Sequence, residues 1–249
     1  MTLKAYKYRI YPNAAVEERF AQHFGAKRFV YNTALEMKKR YYEQFGKGIS
    51  KRAVQDQFVA LKSAPGFTWL YEINSQTILA TLNDVHTAFG NFFRGNARFP
   101  KFKSRKNNWQ SYQCPQHVQV DFELGKVKIP KIGWVKAKLH REFLGKIKTC
   151  TIKKNPAGEY HISVLVETNE VLPTKAPITS ESTKGFDLGI KDFLIGEDGS
   201  RVYNPRFLQQ SLPILAIKQK KLSRKQKGSS AREKQKRIAA KVHNKITNQ

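Results

Sequence analysis

Apolar and polar positions change their period twice along the chain. Over residues 3–11 they alternate, with Tyr6, Tyr8 and Ile10 on one face and Lys7 and Arg9 on the other, which predicts a strand with a basic face. Pro12 and Asn13 end it. Asn13 predicts the cap of a helix from Ala14, with Glu17 and Glu18 in a first turn whose dipole favours acids. Helical spacing then continues to about Arg94. Phe20, Phe24, Phe29, Val30, Ala34 and Met37 form one long or broken apolar face, and Ser50 predicts the cap of a helix over 51–62. After a Pro65-Gly66 turn, Ile78, Leu82, Val85, Phe89, Phe92 and Phe93 recur at helical spacing. That helix starts near Asn74 or Ser75 and stops at Arg94-Gly95.

From Phe99 to about 172 the period becomes two. Residues 99–103 read as extended and basic. Val118-to-Phe122, Val127-to-Ile129, Trp134-Val135, Cys150-to-Ile152 and Tyr160-to-Val166 read as strands, with turns at Leu124-Gly125 and Pro156-Ala157-Gly158. Together they predict a small β-barrel. Residues 172–183 carry Pro173, Pro177 and five Ser/Thr residues, the composition of a linker. Beyond it come an apolar run around Phe186, a second at Phe193-Leu194-Ile195, a Glu197-Asp198-Gly199-Ser200 hairpin turn and a third strand at Arg201-Val202-Tyr203. Two helices split at Gly228-Ser229-Ser230 follow, with Ile238, Val242 and Ile246 as a narrow apolar seam. The fold class is α+β, multidomain.

Charge narrows the function. The 249 residues hold 46 Lys+Arg against 19 Asp+Glu, a formal net charge of +27, which suits a polyanion and makes nucleic acid the default partner. Neither terminus shows an amphipathic helix with a bulky apolar face opposite a basic one, so no membrane partner is expected. The only cysteines, Cys114 and Cys150, stand far apart without CxxC spacing. They argue against a zinc site or a disulfide framework and read as buried thiols. The first residues do not read as a signal peptide and no apolar run spans a bilayer, so a reducing, cytoplasmic setting is expected.

Candidate chemistry centres on Asp187, in Gly185-Phe186-Asp187-Leu188-Gly189-Ile190-Lys191-Asp192-Phe193. A carboxylate inside an apolar strand is costly unless it is paired or holds a metal, and Gly189 leaves room for a ligand backbone. The same residue could equally be an Asp at a strand end or turn. Asp192 and Asp198 read as solvated. Between Lys218 and Lys245 stand 12 Lys/Arg and one acid, Glu233. Lys220, Lys221, Arg224, Lys225, Arg232, Lys236 and Arg237 are candidate phosphate contacts there, against the plainer reading of a solvated face. Residues 92–105 interleave aromatics with Arg94, Lys101, Lys103 and Arg105; stacking is one reading, but core positions suit Phe89, Phe92 and Phe93 better. Six histidines show no metal or catalytic spacing, and no Ser/His/Asp set, phosphate loop or dinucleotide fingerprint occurs.

Several segments then align, in order, with one family. They are Tyr11-Pro12-Asn13, Arg28-Phe29-Val30-Tyr31-Asn32, Ala88-Phe89-Gly90-Asn91-Phe92-Phe93-Arg94, Phe99-Pro100-Lys101-Phe102-Lys103, Ile129-Pro130-Lys131-Ile132-Gly133-Trp134-Val135, the Asp187 segment and the basic stretch from Leu222 to Gln249. Across essentially its whole length the chain resembles TnpB (OrfB), the transposon-encoded RNA-guided DNA endonuclease related to compact type V CRISPR effectors. The resemblance implies a wedge-type β-barrel (1–13 and 96–180), an inserted helical recognition lobe (14–95) and a partial RuvC, RNase H-like, nuclease domain with a basic helical hairpin (181–249). It implies a guide RNA from the transposon end and double-stranded target DNA with an adjacent motif as partners. Lys7, Arg9, Arg28 and Asn32 join the cations named above as nucleic-acid contacts, and Ser75, Gln76 and Thr77 mark the region that reads the motif. Asp187 matches the first catalytic, metal-binding carboxylate of a Mg²⁺ site.

The resemblance also implies a later catalytic glutamate, a CxxC zinc ribbon and a final aspartate. None lies in the 62 residues after Asp187. The chain therefore reads as an N-terminal portion that binds guide RNA and target DNA but lacks a complete two-metal site, so autonomous cutting is not expected. Two other readings stand beside it: a nuclease-dead, RNA-guided DNA-binding repressor, and a guide-independent nucleic-acid-binding protein. A partial nuclease sheet is also expected to expose strand edges and apolar surface.

Overall fold

The computed structural model describes residues 2–106, 110–170 and 173–249. Met1 and residues 107–109, within the expected barrel segments, and Leu172, at the start of the predicted linker, lie outside them. The chain divides into two compact units, 1–170 and 171–249.

The first unit opens with strand β1 (Thr2–Tyr11), followed by helices α1 (Ala14–Phe45), α2 (Lys51–Ser63) and α3 (Ser75–Phe93), with a 3-10 turn at Thr68–Glu72. Each α-helix begins where its cap was expected. The Asn13 side chain accepts from Val16 N, Ser50 from Ala53 N and Asn74 from Gln76 N, each satisfying an amide that the helix cannot. Gly46 closes α1 in the left-handed conformation with φ +66, where a Cβ would be strained.

Six further strands follow: β2 (Gln110–Cys114), β3 (Gln119–Asp121), β4 (Lys126–Ile129), β5 (Gly133–Lys138), β6 (Lys146–Lys154) and β7 (Tyr160–Thr168). With β1 they form a seven-stranded sheet in the order β2-β6-β7-β1-β5-β4-β3. The N-terminal strand is thus the middle one, antiparallel to both β5 and β7. Side chains from near both ends of that order, Tyr112 and Cys114 of β2 and Val127 and Ile129 of β4, share one core with Tyr8, Ile10, Ile162 and Val164. The sheet is curled, its apolar face inward. The sequence marks β2 only as a strand-like segment around Cys114, because Gln-Ser-Tyr-Gln-Cys offers only Tyr112 and Cys114 as apolar positions.

Helix α1 is continuous and serves two cores. Phe20 and Phe24 belong to the sheet core, where the Phe24 ring meets Tyr112 edge-on at 5.4 Å. Val30, Tyr31, Ala34 and Leu35 belong to a second core with Val54 and Phe58 of α2 and Ile78, Leu82 and Val85 of α3. Both cysteines are buried and free, as expected. Burial pushes the Cys114 thiol up to about 11, against hydrogen bonds from Thr77 and Asn74 that favour the thiolate, and the Cys150 thiol up to about 12.

The second unit holds strands β8 (Phe186–Asp187), β9 (Asp192–Gly196) and β10 (Arg201–Tyr203) in an antiparallel sheet of order β10-β9-β8, then helices α4 (Phe207–Ser223) and α5 (Ser230–Thr247). The Glu197-to-Ser200 turn forms as predicted: Gly199 takes φ +77 and Ser200 N donates to Asp198 Oδ1 at 2.9 Å. Phe186, Phe193, Val202 and Tyr203 of the sheet are exposed.

The helical seam differs from expectation. Gln235, Ala239 and Ala240 are buried and Val242 half-buried, while Ile238 is exposed. A polar residue displaces an apolar one because Gln235 Nε2 donates to the Lys218 carbonyl of α4 at 3.1 Å, so the packed face follows that bond. Among the described residues no helix is long and apolar enough to cross a membrane.

Candidate nucleic-acid interface

The stretch after α3 lies along α1, held by one asparagine. Asn32 Nδ2 donates to the Lys103 carbonyl at 3.0 Å, and Lys103 N donates to Asn32 Oδ1 at 2.7 Å. This pairs a side-chain amide with a backbone peptide, as a neighbouring strand would, in a segment that forms no regular element of its own. The stretch is further set by Lys39 over the Phe102 ring at 5.6 Å and by Lys103 over the Tyr31 ring at 4.2 Å.

A cavity of about 380 Å³ opens beside it, lined by Lys27, Arg28, Lys101 and Lys103, with Phe24, Phe102, Ser104, Gln110 and Ser111. Three of the predicted contacts, Arg28, Lys101 and Lys103, therefore converge, and Asn32 positions the third. Crowding shows in the chemistry: burial and then the Lys27 ammonium hold the Lys103 ammonium below its ordinary value, with Asp84 opposing. Asp84 itself pairs with Lys27 at 3.0 Å. A site whose cations destabilise one another gains most when an anion enters.

The remaining predicted contacts are dispersed. Lys7 is exposed on β1, but Arg9 is half-buried and paired with Glu159 at 2.9 Å. Ser75 is exposed and Gln76 half-buried in the first turn of α3. Thr77 is corrected: it is 1% exposed and its hydroxyl donates to the Gln113 carbonyl at 2.7 Å. It fastens α3 to β2 and has no free face for DNA. Arg94 folds back on its own helix, donating to Gly90 O and Asn91 Oδ1, and Arg105 is exposed.

On the hairpin, Lys220, Lys221, Arg224 and Arg237 are exposed, and Lys225 and Lys236 half-buried. Arg232 is corrected. Its Nη1 donates to the carbonyls of Leu222 and Lys225, both at 2.8 Å, and so satisfies acceptors at the end of α4. Sequence reasoning also passed over Lys27, Lys38 and Lys39, because a lysine on a long helix gives no sign of which face it occupies.

Asp187 sits at the edge of the short β8, opposite Ile195, and is exposed. Gly189 does leave room, but for the chain itself: a Cβ there would stand 2.9 Å from the Asp192 carbonyl oxygen. Asp192 is buried rather than solvated, 7% exposed and 3.6 Å from Arg201 Nη1, because its side chain turns to the β10 side of the small sheet. Among the described residues no three His, Cys, Asp or Glu side chains gather to hold a metal ion. Asp187 as placed does not by itself make a Mg²⁺ site.

Phe93, expected in the core, is 77% exposed. It stands with Phe89, Phe92 and Phe99 in a cluster whose ring centroids lie 5.3 to 6.2 Å apart.

The chain has relatives among known proteins. The OrfB (IS605) family model described as a helix-turn-helix domain matches residues 1–47, which here form β1 and α1. The OrfB (IS605) model described as a probable transposase matches residues 161–249. InsQ of Escherichia coli (strain K12), a candidate RNA-guided DNA endonuclease, is 33% identical over 99% of this chain and 60% of its own length. A candidate RNA-guided DNA endonuclease of Streptomyces pristinaespiralis is 29% identical over 98% of this chain and 60% of its own length. A Cas12f1–sgRNA–target DNA complex aligns with 98% of this chain and 76% of its own chain, at 12% identity and a TM-score of 0.44. The protein is thus of the OrfB (IS605) type. It belongs to the TnpB family, and it spans 60% of the length of each of these two curated relatives.

Proposed function

We propose that this chain is a guide-RNA and target-DNA binding portion of a TnpB-like RNA-guided DNA endonuclease. The observation that carries the reading is the convergence of Arg28, Lys101 and Lys103, with Lys27, on one cavity of a chain with net charge +27. In this reading residues 1–13 and 96–180, which include the curled sheet, are the wedge-type barrel. Helices α1 to α3 (14–95) are the recognition lobe, and 181–249 is the start of a RuvC domain whose hairpin lysines track phosphates. The partners are RNA from the transposon end and double-stranded DNA bearing an adjacent motif, with Ser75 and Gln76 facing that motif.

Asp187 is read as the first metal carboxylate. Mg²⁺ chemistry needs several oxygen ligands held together, and a lone exposed aspartate supplies too few. The chain by itself is accordingly expected to bind without cutting. Mg²⁺-dependent, guide-directed cleavage that Asp187→Ala abolishes would refute this.

The deciding experiment is to purify the chain from its native locus and sequence the bound RNA. A discrete RNA from the neighbouring transposon end supports a guided binder. A heterogeneous pool favours guide-independent binding.

A further inference from the structure

The half-buried Phe89 and Phe92 and the exposed Phe93 and Phe99 border a second cavity, of about 590 Å³, with Lys38, Lys39 and Glu43 among its other walls. Its rings present faces and edges: Phe99 meets both Phe89 and Phe92 nearly perpendicularly, at 87° and 82°. Lys38 is seated against one of these rings, while Lys39 lies over the neighbouring Phe102. Lys38 Nζ lies 5.3 Å from the Phe89 centroid and donates to the Ile49 carbonyl at 3.1 Å, and burial holds its ammonium below its ordinary value. A cavity that is aromatic inside and cationic at its wall suits a flat π-system attached to an anion.

We propose that this cavity receives an unstacked nucleobase from a single-stranded segment of nucleic acid. The inference rests on the nucleic-acid reading above and goes beyond it by assigning a base-binding site. Chain geometry supports it. The same extended segment lines both cavities, Phe99 the aromatic one and Lys101 the basic one, and two residues of extended backbone reach at most ~7 Å. A strand whose phosphates sit among Lys101, Lys103 and Arg28 is thereby led past the mouth of the aromatic cavity. Charge complementarity favours a nucleotide over an apolar peptide: two lysines stand in the wall against one acid, Glu43, so the wall keeps a net positive charge that a phosphate satisfies and apolar side chains do not. Stacking on Phe93 needs no hydrogen bond to a base edge, so the cavity tolerates any base.

The test uses the full chain and a short single-stranded RNA of mixed sequence carrying one 2-aminopurine, whose fluorescence falls on stacking, with a DNA of the same sequence in parallel. Binding by the wild type should quench the probe. Phe93→Ala, at an exposed position that the fold does not need, should weaken binding about fivefold or more and abolish the quenching, while Phe93→Tyr keeps both. Weakening with either nucleic acid supports the proposal. Unchanged affinity and quenching in Phe93→Ala, with Lys101→Gln still weakening binding, would overturn the base cavity and leave the nucleic-acid reading standing. No binding by the wild type would overturn both.

Discussion

Asn32 and Lys103 are joined by a reciprocal pair of hydrogen bonds, amide to carbonyl and amide to amide oxygen, at 3.0 and 2.7 Å. The pair fixes an irregular, lysine-rich segment to the side of a helix. Asn32→Ala should release it. We expect a stability loss of about 1–2 kcal/mol in urea unfolding, faster proteolysis within residues 99–106, and weaker RNA binding. Asn32→Asp retains the acceptor but not the donor and should fall between. Equal protease resistance in wild type and Asn32→Ala would show that the segment is held by other means.

Replacing Arg28, Lys101 or Lys103 singly by glutamine removes charge from the cavity they share. Each change should lower the slope of log affinity against log salt by ~0.7–0.9 and weaken binding across unrelated sequences alike. Fluorescence anisotropy titrations over a range of salt concentrations measure this. A slope unchanged in all three variants would place the phosphates elsewhere.

Arg232 and Arg237 lie on one helix but should behave differently. Arg232 bonds the carbonyls of Leu222 and Lys225, whereas Arg237 is exposed. Arg232→Ala should cost about 1–3 kcal/mol and lower the melting temperature of the hairpin. Arg237→Ala should leave stability within ~0.5 kcal/mol while weakening RNA binding. Thermal melts followed by circular dichroism separate the two.

His23 gives the first unit a pH dependence. Its Nε2 accepts from Asn74 N at 3.5 Å and its Nδ1 faces the Arg19 carbonyl at 2.9 Å, which fixes the neutral ring with the proton on Nδ1. Burial pushes its pKa down, with the Arg19 bond opposing. His161 shifts the same way, from burial and then Lys7 and Arg9, against Glu159. The unfolded rings therefore take up protons first. Stability is whole above about pH 6.5 and declines as the pH falls below it. Urea midpoints on either side of that value should show the decline, and His23→Gln should reduce it.

Much of the architecture was legible because it follows from local rules. Asn13, Ser50 and Asn74 announce their helices by side chains that accept from orphan amides, and alternation marks β4 to β7. What escaped depends on partners distant in sequence. Thr77 looked available until Gln113 took its hydroxyl, and Arg232 looked like one more cation until the end of α4 and the turn after it supplied two carbonyls. Asp192 looked solvated because Arg201 stands on the next strand, across a turn. Phe93 was indistinguishable from Phe89 by spacing, since a helix of this period brings more phenylalanines around than one face can bury.

Because α1 runs without a break from Phe20 in the sheet core to Leu35 in the helical core, the two cores share a single angular reference. Each residue turns a helix by ~100°, so a one-residue insertion or deletion between Phe24 and Val30 would rotate one core's side chains away from their partners. The helix behaves as a keyed shaft. Length variation is tolerable in the loops around it and intolerable along this segment. The spacing between the basic and aromatic cavities is therefore set by the pitch of one helix and cannot drift.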